Sequence, residues 1–228
     1  TTESGSEYIL HVQLCLKEDE MWAYKGYPVA EGEFTLQTWP STLPTVSASG
    51  SVTVGTSKVS GTTATGKAWS IGISSGKITS WTVGGKSVIA AGPDFNSYRD
   101  IDNDRSISYS FTNSSSTSVK SSLKKSGNKA TMTVSGSATN CNYTAAYTFY
   151  PDGTVDMTVT FSPKGNLRRM GMGMSFASGF EQVEYYGRGP WSNYSDRKTG
   201  SWLGRYVTTV DDFMEEFPHP QTFGDHQD

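Results

Sequence analysis

The greatest density of groups able to do chemistry lies in one run, Tyr185-Tyr186-Gly187-Arg188-Gly189-Pro190-Trp191-Ser192-Asn193-Tyr194-Ser195-Asp196-Arg197. Aromatic faces pack on the C–H surface of a sugar while neighbouring polar groups take its hydroxyls. On that reading Trp191, Tyr194 and Arg188 are the carbohydrate contacts. The same composition also suits internal architecture. A strand would end in a tight, aromatic-lined turn, with Asp196 and Arg197 tying it through charge-assisted hydrogen bonds. The architectural reading takes precedence, and the sugar contact stays open beside it.

Other candidates are weaker. His11 and Cys15 are four apart, a chelating distance on a helix. On a strand they are about 13 Å apart, too far for one ion. His219 and His226 lie in a polar tail. Asp100, Asp102 and Asp104 alternate like the start of a calcium loop, but Arg105 stands where that loop needs Gly and Phe111 where it needs Glu. A polar turn, or a looser oxygen-ligand site, is what remains. A glycosidase needs two carboxyl groups facing each other across the scissile bond. The adjacent pairs Asp211-Asp212 and Glu215-Glu216 point to opposite faces in extended chain, so they are assigned to solvent.

The elements that must hold these groups read as strands. Tyr8, Leu10, Val12, Leu14 and Leu16 alternate with Ile9, His11, Gln13 and Cys15, which predicts a strand with one buried face. A second extended stretch runs from Tyr27 to Gln37. Pro40-Ser41-Thr42-Leu43-Pro44 reads as a stiff linker. Beyond it Trp69, Ile71 and Ile73 share a face, and Ser74-Ser75-Gly76 turns the chain into Ile78–Val83. Gly84-Gly85 is a two-residue hairpin signal, because a type I′ turn needs positive φ twice. Lys86 to Ala91 is then expected to pair back. Tyr143, Ala145, Tyr147 and Phe149 form one apolar face, Pro151-Asp152-Gly153 the turn, and Val155, Met157, Val159 and Phe161 the returning face. Met170, Met172 and Met174 are expected to fill core. The Ser/Thr-rich tract Thr112–Ser122 reads as a loop. No stretch of ten or more residues shows 3.6 periodicity, so the fold class is all-β, a large antiparallel sandwich.

Composition excludes other classes. Only 18% of the 228 residues are charged, against about 25% in ordinary domains, while 24 are glycine. A net charge of −3 supplies no basic stripe for nucleic acid. No apolar run approaches a membrane span. No charged n-region with an apolar h-region opens the chain, which does not begin with Met and reads as an excised or processed piece. Cys15 and Cys141 are either two thiols or one bridge. The Ser/Thr-rich, lysine-poor surface leans towards a bacterial periplasm over the cytoplasm.

Gly187-Arg188-Gly189-Pro190, Asn193-Tyr194, Asp196-Arg197 and Gly204-Arg205-Tyr206 resemble the signature of the small-chain β-sandwich domain of glycoside hydrolase family 2 β-galactosidases. That pattern runs Gly-Arg-Gly-Pro-x-Glu-Asn-Tyr-x-Asp-Arg. Asn96-Ser97-Tyr98-Arg99 with Asp102-Asn103-Asp104 resembles the family's Asn-Phe-Trp-Arg…Asp-Asn-Asp, and Ser74–Gly85 a family hairpin. Trp22-Ala23, Gly26 and Val29-Ala30 resemble the last two strands of the immunoglobulin-like domain before it. Ser192 replaces the family's Glu, and the spacing from Arg99 to Asp102 is one residue short.

The resemblance implies a galactose-mutarotase-like supersandwich over 46–228, cut short at its C-terminal end, a linker at 41–45, and the closing strands of an immunoglobulin-like sandwich over 1–40. It implies a parent that cleaves terminal β-galactosides with retention, using two glutamates in a (β/α)8 barrel. No Asn-Glu dipeptide and no β/α alternation occur here, so this stretch is expected to lack catalytic residues. The active-site tryptophan of the family's domain falls beyond Asp228. The stretch would support the barrel and sugar site and meet the β-galactoside only through the parent. No cofactor or metal site is implied in it, and Mg or Na ions of the parent are bound elsewhere. Neither nucleic acid nor membrane is an expected partner. An exposed sheet edge open to self-association is. The alternative is a stand-alone carbohydrate-binding sandwich.

Overall fold

The computed structural model describes residues 3, 5–38, 49–97, 118–167, 169–213 and 226. The strands in chain order are β1 (Tyr8–Cys15), β2 (Pro28–Gln37), β3 (Thr53–Val54), β4 (Lys58–Thr62), β5 (Ala68–Ser74), β6 (Lys77–Val83), β7 (Lys86–Ser87) and β8 (Ile89–Asn96). They continue with β9 (Ser118–Ser126), β10 (Lys129–Ser137), β11 (Cys141–Phe149), β12 (Val155–Pro163), β13 (Gly171–Phe176), β14 (Gln182–Gly189) and β15 (Trp202–Thr209). Among the described residues one 3-10 turn, Lys198–Gly200, interrupts them. All described pairings are antiparallel, as expected of an all-β chain. The expected linker at 41–45, and Arg99, Asp102, Asn103 and Asp104, lie outside the described residues, as do Glu215, Glu216 and His219.

The chain forms two compact units. The first takes its described residues from Thr1–Thr45, Glu184–Thr208 and Gly224–Asp228, the second from Val46–Val183 and Thr209–Phe223. The units are therefore not consecutive in sequence.

In the second unit β3-β4-β5-β6-β7 form one sheet, β12-β11-β10-β9 another, and β13-β8 a pair. Alternation decides what is inside. Trp69, Ile71 and Ile73 of β5 share one core with Met132 and Val134 of β10 and with Tyr143, Ala145, Tyr147 and Phe149 of β11. Trp69 anchors it: its indole N–H donates to the Pro151 carbonyl at 2.8 Å, 82 residues away. The Gly84-Gly85 turn is as expected, with φ of 57° and 80° and Val83 paired to Lys86.

Four expectations need correction. The return strand after Gly85 ends at Ser87, and the chain then leaves to pair with β13 as β8. Of Met170, Met172 and Met174, only Met172 packs on the core, opposite Phe95. Met170 and Met174 are 46% and 39% exposed: Met170 precedes β13, and Met174 falls at the register shift between Gly173 and Ser175. The tract Thr112–Ser122 is not all loop, since Ser118–Ser122 opens β9, paired to β10. Thr112–Thr117 lies outside the described residues.

The fourth concerns the first unit. In the β1–β2 hairpin Leu10 faces Phe34 and His11 faces Glu33. Period two sends Leu10, Val12, Leu14 and Phe34 to one face, and His11, Gln13, Glu31 and Glu33 to the other. The expected burial of the apolar face does not occur among the described residues: Leu14 is 63% and Phe34 56% exposed. The covered side is the polar one, where the His11 ring centroid lies 4.4 Å from that of Trp202.

Candidate functional site

The run Tyr185–Arg197 takes in the end of β14 and the chain leading on towards β15, and its backbone is fixed by contacts made to itself. Gly189 has no alternative residue. A Cβ there would sit 2.3 Å from the Tyr185 hydroxyl and 2.8 Å from the Tyr206 ring, and those two rings stack with centroids 5.4 Å apart. Pro190 follows through a cis bond. Asn193 is fully buried, and its Nδ2 donates to the Arg188 carbonyl at 3.3 Å. That carbonyl also lies 3.0 Å from His226 Nδ1, which must carry the proton. Arg197 Nη2 donates to Ser192 Oγ at 3.2 Å. Ser192, which replaces the family's Glu, is thus held by the neighbouring Arg. Of the two charged groups expected to tie the turn, Arg197 does so through this charge-assisted bond.

Arg188 lies beneath the turn. Its Nη1 donates to the Ser201 carbonyl at 3.0 Å and is 3.4 Å from Glu33 Oε1. Glu33 was given no role by the sequence, yet its side chain is only 10% exposed. Its second oxygen accepts the Leu203 N–H at 2.7 Å. A buried carboxylate needs this much, a counter-charge and a donor. No motif marks it, since Glu on the polar face of a hairpin is ordinary. Of the predicted sugar contacts, Trp191 is 64% exposed, Tyr194 is half-buried, and Arg188 is engaged as described.

Beside the turn is a cleft of about 790 Å³ lined by Ser6, Glu7, Glu184, Tyr185, Tyr186 and Arg205. Glu184, Tyr186 and Arg188 alternate on β14 and share a face. The Tyr186 hydroxyl donates to Glu7, and Arg205 pairs with Glu184. Burial of its hydroxyl end, with the bond to Glu7 and the charges of Glu7 and Glu33, pushes the Tyr186 phenol up to about 12.

Other candidate chemistry dissolves. Gly72-Ile73-Ser74-Ser75-Gly76 has the Gly-x-Ser-x-Gly spacing of a nucleophile elbow, which needs a strand-to-helix turn. Here Ser74 pairs with Lys77 across a hairpin. Cys15 is exposed and Cys141 buried, both as free thiols. Among the described residues no three His, Cys, Asp or Glu side chains gather as metal ligands.

These features define an all-β region whose densest motif is a self-braced turn. The family model described as "Beta galactosidase small chain" matches residues 63–228. The chain belongs to that family, and the resemblance to glycoside hydrolase family 2 enzymes holds over most of its length. It is 25% identical to a β-galactosidase of Priestia megaterium and 28% identical to one of Halalkalibacterium halodurans, in each case over 97% of this chain. It is 27% identical to one of Streptococcus thermophilus over 98% of this chain. The chain spans only 23%, 24% and 23% of these relatives' lengths respectively.

Proposed function

We propose that this chain is an accessory, non-catalytic stretch of a longer β-galactosidase, one that hydrolyses terminal β-galactosides with retention on a separate barrel. The observation that carries the reading is the extent of the likeness. It covers 97% of the chain in two β-galactosidases, including residues ahead of the family match.

On this reading residues 46–228 are a galactose-mutarotase-like supersandwich and residues 1–40 the closing strands of an immunoglobulin-like domain. The exposed apolar face of β1–β2 supports the second half of that statement. A hairpin carrying Leu10, Val12, Leu14 and Phe34 on one side is suited to sit opposite another sheet. The Gly187–Arg197 turn supports an architectural role, since its polar groups are occupied by neighbouring backbone and side chains.

The test is hydrolysis of a chromogenic β-galactoside by the purified 228-residue chain. The expected rate equals the blank. Turnover above the blank that follows the protein through purification overturns the non-catalytic reading.

A further inference from the structure

We propose that the cleft lined by Tyr186, Tyr185, Glu7, Glu184, Arg205 and Ser6 is a binding site for a neutral saccharide. The inference goes beyond the accessory role above and does not depend on it.

Size is the first argument. A cleft of about 790 Å³ falls within the roughly 300–1,000 Å³ of small-molecule sites. That is room for one or two sugar rings.

The second is the pairing of ring and polar groups. Tyr186 is 57% exposed, so much of its ring is open to the cleft. Its hydroxyl is held by Glu7, so the ring is already oriented. Stacking a sugar on a fixed ring forfeits little side-chain entropy. Around it stand two carboxylates and a guanidinium. Carboxylates accept from sugar O–H groups, and guanidinium N–H groups donate to sugar oxygens. Glu184 and Arg205 already pair and lie on adjacent strands. Together they offer acceptor and donor side by side, a match for vicinal hydroxyls.

The third is charge. Glu7 and Glu184 against Arg205 leave the lining at a net −1. A uronate or sugar phosphate would be repelled, and a neutral sugar would not. The run Trp191–Tyr194 presents an exposed ring too, but there Arg188 and Asn193 are turned inward to the turn itself.

The test is an amide NMR titration of the intact chain with lactose, galactose and galacturonate. Saturable shifts of Glu184, Tyr185, Tyr186 and Glu7 signals are expected at about 10 mM neutral sugar, as for a weak site. Galacturonate should shift them at least roughly threefold less at equal concentration. Tyr186→Ala should abolish the shifts. Tyr186→Phe, which keeps the ring, should leave affinity within about threefold. Arg205→Met should weaken it roughly fivefold or more. Lys86→Ala, on the second unit, should change nothing. If Tyr186→Ala fails to fold, the wild-type shift map still decides. Shifts clustered at Trp191–Tyr194 instead, no shifts at all, or shifts indifferent to Arg205→Met overturn the proposal. Blank hydrolysis with binding, or hydrolysis without binding, separates this inference from the accessory reading.

Discussion

At the scale of residues, the decisive group is one no motif announces. Glu33 joins the β1–β2 hairpin to the β14–β15 hairpin by accepting the Leu203 N–H and facing Arg188. Removing one partner of a buried pair strands the other charge. Glu33→Ala should therefore cost about 3 kcal/mol, read as a lower urea midpoint. Glu33→Gln keeps the acceptor for Leu203 and should cost less. An Ala variant as stable as the wild type would remove Glu33 from the brace.

Tyrosines give a second residue-scale prediction. Tyr147 is pushed up to about 12, chiefly by burial, and Tyr186 to about 12, by burial and by Glu7. Their ordinary value is 10.0. Below that value both folded and unfolded chains hold the proton, and the contribution to stability is fully present. As pH rises from 10 towards 12 the unfolded chain loses its proton first, so stability falls. Tyrosinate absorbance of the native protein should show a late-ionising fraction, and Tyr186→Phe should diminish it. A single step near pH 10 for every tyrosine would contradict the packing.

At the scale of elements, legibility followed the locality of the signal. Turn chemistry is local, so Gly84-Gly85 and Ser74-Ser75-Gly76 are legible from two or three residues alone. Alternation is local too, and the buried faces of β5 and β11 agree with it. Which neighbour covers a strand is not local. That is why Leu10 to Leu14 read as buried yet are exposed, and why Met170 and Met174 read as core yet face solvent. The departure of β8 towards β13 had no signal, since Lys86–Ala91 is compatible with either partner. The turn at Gly187–Arg197 was legible as architecture through its Gly-x-Gly-Pro. The cleft beside it was not, because Glu7 is 179 residues from Tyr186.

The element whose failure would spread furthest is the β5 anchor. Trp69 is 2% exposed and its N–H serves the Pro151 carbonyl at the turn between β11 and β12. Trp69→Phe keeps an aromatic ring but leaves that carbonyl without its donor. A cost of about 2 kcal/mol is expected, with near-ultraviolet dichroism retained. A loss below a few tenths would mean that the indole N–H contributes nothing net.

At the scale of the whole molecule, two surfaces compete to make the isolated chain associate, and they are separable. One is the apolar face of β1–β2, where Leu10, Leu14, Phe34 and Leu36 are 45%, 63%, 56% and 64% exposed. The other is the outer edge of β12, which has β11 as its one partner among the described residues. The opposite edge, β9, carries Lys120, Lys124 and Lys125, the charges by which natural sheets discourage edge pairing. An exposed hydrophobic face is the larger driving force, since each buried Leu or Phe side chain is worth about 2 kcal/mol, whereas strand-to-strand bonds replace bonds to water. Light scattering should therefore show concentration-dependent association that Leu14→Lys with Phe34→Lys suppresses. Met157→Pro, which removes an outward-facing N–H from the β12 edge and leaves the bonds to β11 in place, should leave most of it. The reverse ranking would assign association to the edge. A monomer at every concentration would show that neither surface is sticky enough to act alone.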